Sequence, residues 1–338
     1  MIDLLVVGGG PGGLATATHA AQAGLEAVVV ERRPGPIDKA CGEGLMPHTV
    51  AHLEKLGVHP RGKTFRGITY LDAKHSVRAE FRSGQGIGMR RTALSEALHE
   101  AAINAGVRIV HADVDAVTQD ASSVRCGEFT ARYLAAADGL HSPIRRSLGL
   151  DLPHRGRRRW GIRRHFQIAP WSDTVEVHWA RDTEAYVTPV AEDSVGVAVL
   201  TSRQGRLDDH LREFPALAAR LGEAPHGPDR AAGPLRQRVK SQAAGRVMLV
   251  GDAAGYVDAL TGEGLGIAFG GAEVLVNCVL ADTPGDYDRQ WRRMSRRYRA
   301  LTAGLLHASG CPPVRSLIVP AASSLPRAFG GIVNLLAV

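Results

Sequence analysis

A glycine-rich turn between a strand and a helix constrains this chain more than any other feature. Residues 3–8, Asp-Leu-Leu-Val-Val-Gly, read as a short buried strand. Gly8-Gly9-Gly10-Pro11-Gly12-Gly13 follows at once. Ala and Leu then recur at helical spacing over 12–24, and Gly24 caps the helix. Residues 25–31, Leu-Glu-Ala-Val-Val-Val-Glu, read as a second buried strand. Strands with no polar alternation fit a parallel sheet covered on both faces. In such a turn Gly8 permits the tight bend, Gly10 lets a pyrophosphate approach, and Gly13 lets the helix pack close to the strand. Pro11 and Gly12 open the helix, whose free N–H groups and dipole favour phosphate charge. Glu31 closes the second strand, where its carboxylate can accept hydrogen bonds from a ribose diol. Arg32 and Arg33 stand beside it, placed for the adenine end or for solvent.

Elements of the same texture recur far along the chain. A helix is expected over 91–106, a strand over 107–111 and strand-like alternation over 114–117. Residues 131–137 lead into Asp138-Gly139, and the apolar strand 247–250 into Gly251-Asp252. A glycine- and alanine-rich helix is expected from Gly264 to Leu280. Between these pieces, residues 64–82 alternate. Residues 160–201 hold four strand-like runs with Asp, Pro and Ser at the turns. The expected division assigns 1–63, 83–152 and 240–284 to a discontinuous nucleotide-binding domain. It assigns 64–82 and 153–239 to a β-rich substrate domain, and 285–338 to a C-terminal helical segment.

Three further motifs identify the nucleotide. Asp138-Gly139-Leu140-His141-Ser142-Pro143-Ile144-Arg145 resembles the DG motif of flavoprotein hydroxylases. Gly251-Asp252-Ala253-Ala254 with Thr261-Gly262-Glu263-Gly264 resembles their GD motif. Arg91-Thr92-Ala93-Leu94 resembles the R-x-x-L helix start that contacts FAD. The chain thus resembles the FAD-dependent superfamily of flavoprotein aromatic hydroxylases (group A monooxygenases) and geranylgeranyl reductases. The resemblance implies an α/β architecture, with an FAD-binding Rossmann-like domain of the glutathione-reductase type. An antiparallel β-sheet substrate domain is inserted into it, and helices close the C-terminus. It implies FAD as cofactor and NAD(P)H as electron donor, direct or through a reductase. It adds Arg91, Val114, Asp138, Gly251, Asp252, Gly262, Gly264, Leu265 and Gly266 to the cofactor contacts. Asp252 at a strand's end can accept from a ribityl hydroxyl. The helix from Gly264 would aim N–H groups at the flavin N1/O2 edge. An Asp138–Arg145 brace of the turn is as good a reading of that pair as a cofactor role.

The superfamily contains two chemistries. As a monooxygenase, the protein would hydroxylate a hydrophobic, aromatic or polyketide-like molecule through a flavin C4a-hydroperoxide, using NAD(P)H and O₂. This is the expectation drawn from the missing Trp and Phe of the reductase signature Y-x-W-x-F-P near Tyr186-Val187-Thr188-Pro189. The halogenase motif W-x-W-x-I-P is also missing. Against it, Cys41-Gly42-Glu43-Gly44 resembles the C-G-G or C-G-E stretch of the reductases, and Gly255 stands where many hydroxylases carry histidine. A reductase of isoprenoid or quinone-like double bonds is therefore the alternative, and a non-catalytic flavin carrier or partner subunit the third. Cys41 and Tyr186 are the catalytic candidates. Cys41, Glu43, Tyr186, Thr188, Pro189 and Thr261 are the expected substrate pocket. No metal spacing is present among the cysteines.

Charge adds less. The chain of 338 residues carries a net +7, from 41 basic and 34 acidic side chains. Only Lys39, Lys55, Lys63, Lys74 and Lys240 among the basic residues are lysines. The expectation is a solvated arginine surface, densest at 155–164 and 289–299, with no motif for nucleic acid. Trp291, Met294, Tyr298, Leu301 and Leu305 recur at helical spacing beside the second cluster. Packing on the domain is the simpler reading; weak peripheral contact with anionic lipid is the other. Four scattered cysteines and a start without a basic leader fit reduced thiols in the cytoplasm. Nothing in the sequence sets an oligomeric state.

Overall fold

The computed structural model describes residues 1–114 and 116–337. The main path of an eight-stranded sheet runs Ala243–Ala244, Val247–Leu249, Phe129–Ala136, Ile2–Val7, Ala27–Glu31, Arg108–His111. The central pairs are parallel, with Leu4 opposite both Tyr133 and Ala27. Every residue of Ala27–Glu31 is buried, as an apolar run with both faces covered requires. The helix Pro11–Gln22 opens on proline and packs against Gly264–Leu280. The loop after Arg108–His111 enters its next strand at Val117–Gln119, later than the expected alternation at 114–117, of which 115 lies outside the described residues.

The second sheet runs Arg230–Ala232, Trp160–Phe166, Ser194–Thr201, Glu184–Ala191, Val175–Trp179, Gly67–Leu71, Ser76–Glu80. Its neighbours are antiparallel except Val175–Trp179 with Gly67–Leu71. Strand period two divides its faces. Val195, Val197, Val199, Ala185 and Val187 bury against the short helices Leu207–Leu211 and Pro215–Leu221. Ala198, Leu200, Tyr186 and Thr188 face the opposite way, into a cavity. The C-terminal helices Tyr287–Gly310, Pro312–Arg315, Ile318–Ser324 and Pro326–Leu336 close that side.

The arginines are the largest departure from the sequence expectation. Arg159, Arg163 and Arg164 of the 155–164 cluster are buried, along with Arg91, Arg145 and Arg315. The physical reason is that Trp160–Phe166 is an interior strand, so adjacent arginines leave on opposite faces. Arg164 pairs with Asp208 at 2.6 Å and Asp229 at 2.7 Å on the helix side. Arg163 pairs with Asp38 at 2.5 Å on the other. Arg159 and Arg315 both reach the fully buried Glu184, the latter at 2.5 Å. The second cluster behaves as expected. Its arginines are exposed along Tyr287–Gly310, while Trp291 is buried and Leu301 and Leu305 turn to the cavity.

Among the described residues no single helix is long and apolar enough to cross a membrane. Pro312–Ser324 and Pro326–Leu336 reach that length and composition only together, across a 103° bend.

Candidate functional site

A cavity of about 1130 Å³ lies between the two sheets and the C-terminal helices. At one end are the glycine turn and the strand ends of the parallel sheet, the position where open α/β sheets bind ligands. Gly8, Gly10, Pro11, Gly12, Glu31, Arg32, Arg33, Arg91, Asp138, Gly251, Asp252, Gly262, Gly264 and Leu265 all line it. So do the pocket candidates Cys41, Glu43, Tyr186, Thr188 and Thr261.

Four expected site residues lie off the cavity. Gly13 faces the interior, where a β-carbon would stand 1.9 Å from the Gly8 carbonyl oxygen. Gly266 faces His48, because two residues along a helix turn the backbone about 200° away from Gly264. Pro189 is one residue out of phase with Thr188 on the strand, and its carbonyl abuts Gly88. Val114 packs against the core of the nucleotide-binding sheet, near Gly127.

The electrostatics of the glycine end are set by buried charges. Glu31 folds back onto its own loop. Its Oε2 accepts from Gly9 N–H at 2.8 Å, and its Oε1 from the backbone N–H and Nε of Arg33. Burial alone would raise its pKa, but the Gly9 and Arg33 donors hold the carboxyl below its ordinary value. Asp138 accepts from Ile144 N–H through Oδ2, while its Oδ1 is buried with no partner. The expected brace of this turn has a different acid: Arg145 pairs with Asp151 at 2.5 Å and donates to the Ala253 and Leu140 carbonyls. Burial pushes the Asp252 carboxyl up against the pull of Lys39 and Arg91. Arg91 is itself buried, and its Nη1 has no partner.

Lys39 was not legible from the sequence. Its ammonium lies on the cavity wall, where a β-carbon on Gly139 would meet Nζ at 3.0 Å, and burial lowers its pKa. The signal was weak: one lysine in a coil segment among many arginines. Tyr256 was also missed; its ring lies against Gly264 and lines the cavity.

Near the middle of the cavity, Cys41 Sγ accepts from Glu43 N–H at 3.4 Å. Burial raises the Cys41 pKa, so the thiol form is favoured at neutral pH. Thr188 Oγ1 donates to the Gly42 carbonyl at 2.8 Å and ties this loop to the sheet. Tyr186 donates its phenol proton to the Leu260 carbonyl at 3.2 Å. Beyond them the wall is apolar, with Leu301, Leu305, Ile318, Phe329, Ile332 and Leu336 from the C-terminal helices.

These residues fit FAD. Gly10 has nothing within 4 Å of a would-be β-carbon, leaving room for a diphosphate beside the helix start. The unpartnered Arg91 Nη1 and Asp138 Oδ1 offer a donor and an acceptor that the protein does not use. Asp252→Ala is expected to lower FAD affinity about tenfold or more, the worth of one charge-assisted hydrogen bond. The check is flavin absorbance after gel filtration; a variant that keeps its full yellow complement removes Asp252 from the contact set.

Comparison with known proteins agrees with the geometry. The model of the FAD binding domain family matches residues 1–285. A menaquinone reductase of Mycobacterium tuberculosis is 29% identical over 315 residues, covering 78% of this chain and 72% of the relative. A digeranylgeranylglycerophospholipid reductase of Methanothrix thermoacetophila is 28% identical, covering 86% and 83%. A flavoprotein/dehydrogenase structure from Cytophaga hutchinsonii superposes with a TM-score of 0.79 at 17% identity, over 98% of this chain and 96% of that one. With the glycine turn, the Asp138 and Asp252 strand ends and Arg91 on one cavity wall, the chain belongs to the FAD binding domain family of oxidoreductases.

Proposed function

We propose that this protein reduces a carbon–carbon double bond in the isoprenoid part of a lipid, with NAD(P)H as the source of electrons. One observation carries the reading. The cavity that begins at the nucleotide loop continues, past Cys41, into a passage walled by apolar side chains of the C-terminal helices. Such a wall suits a long hydrocarbon, with Tyr70 and Tyr186 as the phenols on the sheet side of the same cavity. The names of both relatives, of menaquinone and of a digeranylgeranyl lipid, describe molecules with isoprenoid chains.

Bound FAD, once reduced by NAD(P)H, would supply the hydride for one alkene carbon. The other carbon needs a proton, and the two candidates differ. The Tyr186 proton is committed to the Leu260 carbonyl. The Cys41 sulfur accepts one hydrogen bond, and its own S–H has no acceptor among its hydrogen bonds. Cys41 is therefore the donor: its S–H bond breaks, the new C–H bond takes the proton, and the electron pair stays on sulfur until water returns a proton. Cys41→Ser, a far weaker acid, is expected to slow reduction at least tenfold with little change in FAD content. Tyr186→Phe should cost less than fivefold.

The test is anaerobic. FAD-loaded protein, reduced with dithionite, is mixed with a menaquinone or a geranylgeranylated lipid, and the products are weighed by mass spectrometry. A gain of two hydrogens supports the proposal. Turnover only with O₂, and oxygen in the product, instead supports hydroxylation through the same fold. Flavin that reduces without forming any product supports the carrier reading.

A further inference from the structure

Glu43 combines backbone strain with a buried charge. It stands at φ 60°, a region disfavoured for a side chain of this size. Its carboxylate is wholly buried yet reaches the cavity wall. Oε1 accepts from Arg91 N–H at 2.8 Å, and Oε2 lies 2.6 Å from His165 Nε2. Arg163 Nη1 lies 3.1 Å from His165 Nδ1, and Arg163 Nη2 lies 3.6 Å from Glu43 Oε1. Arg163 is in turn held by Asp38, which Arg230 also contacts at 2.8 Å.

This chain of contacts assigns the protons. A guanidinium can only donate, so Nδ1 of His165 is an acceptor and carries no proton. The hydrogen on Nε2 is then the one given to Glu43. The Glu43 carboxylate is thus held at both oxygens, by the Arg91 backbone N–H and by the His165 ring. It sits two residues from Cys41, on the loop whose backbone N–H already touches Sγ.

We propose that Glu43 and His165 are positioning residues for Cys41: the anchored carboxylate fixes the strained loop and sets the surroundings of the thiol that serves as the proton donor. The proposal rests on the reductase reading for what the proton is used for, but the effect on the thiol is independent of turnover. The charged groups facing Cys41 are Arg91, Arg163 and Glu43, and Tyr256 lies close enough to couple to it. The two guanidiniums would stabilise a thiolate. Burial opposes them most, and Glu43 is the charged group that adds to it, which is why its removal has a definite sign.

The measurement is the titration of the Cys41 ¹³Cβ resonance in cysteine-labelled, FAD-loaded protein, assigned by its loss in Cys41→Ser. Glu43→Gln should lower the thiol midpoint by about one pH unit, raising the thiolate fraction at a given pH about tenfold. His165→Leu should move it the same way, since the carboxylate then loses the ring contact that holds it on this loop. His165→Gln, which restores an N–H donor, should return it towards the native value. A midpoint unmoved in Glu43→Gln overturns the proposal. If that variant fails to hold FAD, an unmoved midpoint in His165→Leu overturns it equally. The reductase reading fails separately, if Cys41→Ser reduces the lipid at the native rate while the Glu43→Gln shift is still seen.

Discussion

Gly13→Ala is expected to yield protein that neither folds well nor retains FAD. The new β-carbon would stand 1.9 Å from the Gly8 carbonyl oxygen and 3.0 Å from the Ala137 β-carbon. The first of these neighbours is backbone, so no rotamer change relieves the contact. The helix Pro11–Gln22 must lift from the strand Ile2–Val7, which costs about 3 kcal/mol or more and displaces the N–H groups at the helix start. Gly8 is bound to the same geometry, at φ 110° with its own would-be β-carbon 2.3 Å from the Ala137 carbonyl oxygen. Gly10→Ala separates the two effects. Its β-carbon meets no protein atom within 4 Å, so stability is retained while the approach of a diphosphate is blocked. Denaturant unfolding and flavin content together check both variants. A Gly13→Ala protein with native stability, or a Gly10→Ala protein with native FAD affinity, would show that the loop does not work in this way.

Glu184→Leu should be nearly as severe, at the other end of the cavity. Glu184 is fully buried and neutralises both Arg159 and Arg315. Arg315 also donates to the Ala180 and Thr183 carbonyls and lies over the Trp179 ring. It pins the C-terminal helices to the second sheet, as do Asn334 on the Glu80 carbonyl and Phe329 and Val333 against Val77 and Ala79. Removing the carboxylate leaves two guanidiniums buried, with Asp258 3.5 Å from Arg159 as their remaining acid among the described residues. Breaking a buried ion pair by deleting one partner costs about 3–5 kcal/mol. Hydrogen exchange should quicken first in 312–336, because those helices lose their anchor while the parallel sheet keeps its own core. Uniform destabilisation of both sheets, with no early opening of these helices, would contradict that account.

The two variants also mark how far a linear reading goes. The glycine turn, its helix and both flanking strands are local: a tight bend, a close helix approach and apolar runs are each written in a few consecutive residues. The same holds for Asp138 and Asp252, which follow apolar strands directly. The strands of the second sheet were legible as alternating runs, and period two separates Tyr186 and Thr188 from Pro189. What failed were statements about direction. Gly266 and Pro189 carry the right residue types but point away from the cavity, and Val114 packs half-buried against the core.

Arginine shows the limit most clearly. A run such as Arg-Gly-Arg-Arg-Arg-Trp-Gly-Ile-Arg-Arg reads as a solvated patch, because nothing in it shows that Asp38, Glu184, Asp208 and Asp229 will arrive from elsewhere. Burying a guanidinium is tolerable only once such partners are in place, and they come together across 25 to 125 residues of chain. Lys39, Tyr256 and the Glu43–His165 contact belong to the same class. The sequence by itself determined that a diphosphate-bearing cofactor meets this fold at its first turn, since that site is built from neighbouring backbone. Only the tertiary structure decided what stands across from it, since a buried charge and an apolar passage are made by residues that become neighbours on folding.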